Sequence, residues 1–228
     1  MRRFPTILIS AAFAVALPLA TLPSSAWASG DDDVSKVNGS VTVEAGQPAG
    51  DVSTVNGSVH IGDGAKVKEA NTVNGSIDLG DRAQAKSLET VNGAVTMGGG
   101  SRVGGAVTSV NGALHLAQGA EVLGKLSNVN GAIVLEAAHV AGGIDTVGGD
   151  ITVGANSHVE GGILVEKNSG SWFNWGGKSH DPTIVIGPHA VVQGTLEFQR
   201  EVVLKVSDSA QIGPVKGATV VKFSGATP

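Results

Sequence analysis

The sequence predicts an all-β chain wound as a single-stranded parallel β-solenoid, a right-handed β-helix with 18–19-residue coils. Three observations carry that prediction. Val-Asn-Gly begins at Val37, Val55, Val73, Val91, Val110 and Val129, and a degenerate Val-Gly-Gly begins at Val147, at intervals of 18, 18, 18, 19, 19 and 18 residues. Apolar residues alternate with polar ones between these marks, and nowhere do they recur at the helical period over a helix-length window. Glycine is abundant at 34 residues and tyrosine is absent, so the core must be built from small β-branched side chains.

Before the repeat lies a segment of another kind. Arg2 and Arg3 start residues 1–28, an apolar run follows, and Ala26-Trp27-Ala28 supplies a small-x-small cleavage site. This is the pattern of a secretory signal peptide, with the mature chain expected to begin at Ser29 in the periplasm or outside the cell. The leader holds two arginines and no acid, so its removal takes the formal charge from −5 to −7. An acidic chain without clustered Lys and Arg is not expected to bind nucleic acid. The chain has no cysteine, so neither disulfides nor an N-terminal lipidated cysteine enter its stabilisation or anchoring. No later run is apolar enough for a transmembrane segment. Residues 29–36, with Asp31, Asp32 and Asp33, read as a solvated acidic leader or cap.

The solenoid is expected over 37–223, followed by a tail at 224–228. Within "VNGSVHIGDGAKV", alternation places Val55, Val59, Ile61 and Val67 on one face and Ser58 and His60 on the other. The next coils repeat the columns with Val73, Ile77, Leu79 and Ala85, then Val91, Val95, Met97 and Val103. Four residues after Ile61, Leu79, Met97 and Leu116 stand Ala65, Ala83, Ser101 and Ala120, the small residues a narrow corner requires. An antiparallel meander with Asn-Gly hairpins would need a second regular reversal in each unit, and none is written. Stacked coils instead explain the persistence of Val-Asn-Gly. Asn tolerates and Gly freely takes the left-handed turn of a corner, and Asn38, Asn56, Asn74, Asn92, Asn111 and Asn130 can pass amide hydrogen bonds along the axis.

The patterns "VNGSVHIGDGAKV" and "IVIGPHAVVQGTLEF" resemble those of the bactofilin-like, polymer-forming β-solenoids of bacteria and of related exported envelope proteins built from β-strand repeats. The resemblance covers about Val37 to Phe223. It implies a nucleotide-independent scaffold whose solenoids join end to end. Bactofilins usually stay in the cytoplasm, and the export signal departs from that habit.

Between the later repeats lies an insertion at 168–182, "NSGSWFNWGGKSHDP", with Trp172, Phe173 and Trp175 in four positions. It reads as a loop bulging from one coil, the place where rigid solenoids carry recognition. Its aromatics are the candidate interaction residues, suited to a sugar ring of the cell wall or to an envelope protein, and the alternative reading is that they fold back and cover the side or end of the stack. Catalytic signals are thin. His139, His158 and His189 fall in neighbouring columns rather than one, without a carboxylate pattern, and His60 and His115 read as outward. No catalytic, cofactor or metal site is expected. The predicted function is that of a non-enzymatic envelope scaffold or interaction module that self-associates through its C-terminal coil. The competing class is an exported β-helix enzyme acting on polysaccharide, which short coils without clustered Asp, Arg and Lys on one face disfavour.

Overall fold

The computed structural model describes residues 32–167, 181–225 and 227–228. Their strands form three sheets, two of ten strands and one of seven, in which each strand lies between its equivalents one coil earlier and one coil later. The first sheet runs from Val34–Asn38 to Val215–Lys216, the second from Val41–Val43 to Val220–Phe223, and the third from Gln84–Ala85 to Gln211–Ile212. Single bridges between Pro48, Lys66 and Gln84 extend the third sheet toward the first coil. The chain visits the three sheets in turn for about 9 turns of about 19 residues. The pairings among the described residues are parallel, so the solenoid is present and the meander is not.

The coils differ in length only at corners. From Ala85 the chain reaches the first sheet at Leu88 three residues later, whereas from Val103 it reaches Val107 after four, Gly104 and Gly105 making room. One coil compensates at the opposite corner: Leu135 to Val140 spans five residues where Leu116 to Val122 and Val153 to Val159 span six.

Side chains of the three inner faces fill a narrow prism. Ile77, Leu114, Ile133, Ile151 and Ile184 stack in one column and Leu79, Met97, Leu116 and Leu135 in its neighbour, all 0–2% exposed. Burying each such side chain contributes about 1.5–3 kcal/mol. Ala65, Ala83, Ser101 and Ala120 are fully buried where the second corner narrows, and Val67, Ala85 and Val103 face inward on the third sheet.

One expected column is displaced. Val55, Val73 and Val91 do not join the core. They stand half-buried on the outer face of the first sheet, and the inward positions before them belong to Thr54, Thr72 and Thr90, at 0–1% exposure. Alternation within Val52–Asn56 fixes this: Val52 and Thr54 share a face, Val55 takes the other, and the Asn-Gly corner resets the phase so that Val59 points inward again.

The conformational reason expected for Val-Asn-Gly also changes. None of the six column asparagines has a positive φ. Glycine is needed at this corner because the coils touch: a Cβ on Gly75 or Gly93 would overlap the carbonyl oxygen of the preceding corner glycine, Gly57 or Gly75. At the Val-Asn-Gly corner only Gly39 and Gly131 have positive φ, whereas left-handed residues recur coil after coil at the corner between the second and third sheets, where Gly46, Gly64, Arg82, Gly100, Gly119, Ala137, Asn156 and His189 have φ of 46–76°.

Candidate functional site

Parallel register turns each recurring residue into a column, so the surface is a set of ladders spaced at about 4.8 Å. The corner asparagines form one. Asn56 Nδ2 donates to Asn38 Oδ1 at 3.1 Å, and the pattern repeats from Asn74 to Asn56, Asn92 to Asn74, Asn111 to Asn92 and Asn130 to Asn111 at 3.0–3.1 Å. All but the terminal members both donate and accept. The ladder stops above Asn130 because the next coil presents Gly148, and Arg200 reaches down to donate to the Val147 carbonyl at 3.2 Å.

A second ladder lies inside the same corner, and sequence reasoning missed it. Thr54, Thr72 and Thr90 donate through Oγ1 to the carbonyls of Gly39, Gly57 and Gly75 at 2.9–3.0 Å, one coil earlier. Ser109 continues the series to Gly93 at 3.2 Å, and Asn128 Nδ2 to Gly112 at 2.9 Å. These hydroxyls and amides satisfy carbonyls that the corner turns away from the sheets. The signal was the small polar residue immediately before each Val-Asn-Gly from Val55 onward: Thr54, Thr72, Thr90, Ser109 and Asn128. Similar service is given elsewhere by Asp63 and Asp81, whose Oδ1 atoms accept from Asp81 and Gly99 N–H at 2.9 and 2.7 Å.

The expected aromatic loop falls largely on undescribed residues, and Trp172, Phe173 and Trp175 lie outside the described ones. The flanks are described. The segment leaves after Ile163–Val165 of the first sheet and returns at Thr183–Ile186 of the second, at the corner where earlier coils carry Asn-Gly. Stacking continues across it: Ile163 pairs with Ile144 and Leu196, and Ile184 with Ile151 and Leu204. Beside its departure point Lys125 binds buried Asp145 at 2.7 Å. Burial, with Asp145 adding repulsion and Lys125 partly opposing it, holds Glu166 above the ordinary glutamate pKa.

The histidines depart from expectation. His139 and His158 share one column of the third sheet as direct partners, with ring centroids 5.5 Å apart and planes at 77°. The short corner before His139 produces this register, and it cannot be read from distances to Val-Asn-Gly. Carboxylates do accompany them: Glu160 Oε1 is 2.9 Å from His139 Nε2, and Glu121 Oε1 is 3.4 Å from Nδ1. His189 stands apart at the left-handed corner. His60 and His115 face outward and pair with Asp78 at 2.9 Å and Glu136 at 3.2 Å.

The two end coils share a feature. Lys36 is in register with inward Thr54, and Lys222 with inward Val206, so each terminal coil carries an exposed lysine at a register position that interior coils bury. Lys36 Nζ turns to the Ser40 carbonyl at 2.8 Å. Around Lys222, Ile212, Val215, Val220 and Phe223 are only partly buried.

Comparisons of the chain with family models, with curated proteins and with solved structures return no match. Among the described residues no helix is long and apolar enough to cross a membrane.

Proposed function

We propose that this protein is a non-enzymatic scaffold of the bacterial envelope, an exported rigid rod that presents the segment at 168–180 to a cell-wall polysaccharide or envelope protein. The observation that supports it is the unbroken stacking of coils on both sides of that segment. An insertion that leaves its neighbours in register is displayed by the stack rather than needed for it, and Trp172, Phe173 and Trp175 give it the chemistry to grip a sugar face or an apolar partner surface. Export rests on the signal pattern of residues 1–28. Self-association through the C-terminal coil belongs to the same reading, and it is weak: partly buried Ile212, Val215 and Val220 favour a junction, while Lys36 and Lys222 at the two ends oppose it.

The test is replacement of Trp172, Phe173 and Trp175 together by Ser. Retention on purified cell-wall or envelope fractions should be lost while β-sheet circular dichroism and thermal melting stay as in the parent. A variant that melts early yet binds as well as the parent would contradict display by the aromatics.

A further inference from the structure

We infer that the outer face of the third sheet carries a binding site for a divalent transition-metal cation of the zinc type, formed by His139, His158 and Glu160. The three are brought together by two periodicities. Parallel register stacks His158 on His139, and strand alternation returns Glu160, two residues on, to the face that His158 occupies. One donor atom from each lies within 4.8 Å of the other two. Two imidazoles and a carboxylate are a ligand set that zinc accepts, with water completing the shell. Donors around such a cation stand about 3.3 Å apart. His139 Nε2 and Glu160 Oε1 are already 2.9 Å apart, and with a His158 donor within 4.8 Å of both, closure asks for side-chain rotation and no change of backbone register.

The surroundings add what bare proximity would lack. Glu121, one coil before His139 in the same column, faces its Nδ1 at 3.4 Å, on the side opposite Glu160. A carboxylate there holds the proton on Nδ1 and directs the Nε2 lone pair to the cation. Arg102, next in the column, is ion-paired with Glu121 and fixes it in turn. On the far side Gln193 Nε2 lies 3.1 Å from His158 Nε2, a contact that competes with the cation for that nitrogen. The cation replaces the His139–Glu160 and Gln193–His158 contacts with metal bonds. The side chains of His139 and Glu160 are 33% and 50% exposed, which leaves the site reachable and open to water. A cation bound there links two successive coils directly beneath the one that carries the insertion.

Titration of the untagged chain with Co2+ and Zn2+, read by visible absorption and calorimetry, tests the assignment. One saturable cation per chain is expected, with cobalt bands displaced by zinc and a melting temperature raised by either metal. His139→Ala and His158→Ala should abolish binding, Glu160→Gln should weaken it strongly, and Glu121→Gln should weaken it roughly tenfold to hundredfold. His60→Ala, at a lone histidine–carboxylate pair, should bind as the parent does. Absence of saturable binding, or parental binding in His139→Ala, His158→Ala or Glu160→Gln with native circular dichroism, would overturn it.

Discussion

Thr72 donates its hydroxyl hydrogen bond to the carbonyl oxygen of Gly57 at 2.9 Å, tying a fully buried strand residue to the corner of the coil before it. The contact explains why a polar residue occupies an inward position in a core made mostly of aliphatic side chains. Thr72→Val keeps the shape and removes the donor, leaving that carbonyl without its partner. Urea denaturation should show a loss of about 1–3 kcal/mol. No loss would mean that the carbonyl finds water and that the inner ladder is incidental.

The outer ladder predicts a gradient. Asn92 donates to Asn74 and accepts from Asn111, whereas Asn38 only accepts, from Asn56. Replacing Asn92 by Ala should cost about 1–2 kcal/mol and Asn38 by Ala about half as much, because two bonds are broken in one case and one in the other. Neither site has a left-handed backbone to add strain. Equal midpoints for the two variants would show that the amides are not coupled along the axis.

Two glycines separate conformation from contact. Gly64 has φ +65° and open space around its missing Cβ, so Gly64→Ala should cost about 1 kcal/mol from backbone strain alone. Gly93 would drive a Cβ into the Gly75 carbonyl, and Gly93→Ala should cost several kcal/mol or prevent folding. Thermal melts of the pair check the order; a Gly93→Ala protein as stable as Gly64→Ala would contradict the close corner.

What was legible in the sequence was whatever the coil repeats identically. The Val-Asn-Gly interval led to parallel stacking, and the aliphatic columns around Ile77 and Leu79 followed from alternation. What was not legible depended on phase. Val55 draws an apolar reading, yet its neighbour Thr54 is the inward residue, because a corner can restart alternation without changing the interval. Counting from Val-Asn-Gly puts His139 and His158 in different columns, because the one-residue deficit between Leu135 and Val140 is invisible until the partners of both are known. The insertion at 168–182 stood out by composition, and its residues Trp172, Phe173 and Trp175 are outside the described residues.

In the proposed end-to-end self-association, Lys222 on the last coil is expected to limit the strength of the junction. Lys222→Val restores the aliphatic residue that the equivalent positions Ile186 and Val206 hold. Sedimentation velocity should show weak, concentration-dependent association for the parent and markedly stronger association for the variant, since the exposed ammonium of Lys222 no longer has to be desolvated at the junction. Identical monomeric profiles for both would remove end-to-end contact from the account.

The central claim is that recurring residues lie directly over one another, coil on coil, and a pair of cysteines measures this most directly. Asn74 and Asn92 are register partners, and Asn74 and Asn111 are two coils apart. Parallel partners about 4.8 Å apart are within reach of a disulfide, while residues at roughly twice that distance are not. On mild oxidation, Asn74→Cys with Asn92→Cys should form an intramolecular disulfide in the folded monomer, and Asn74→Cys with Asn111→Cys should leave its thiols free. Cross-linking of the second pair in preference to the first would contradict the stack.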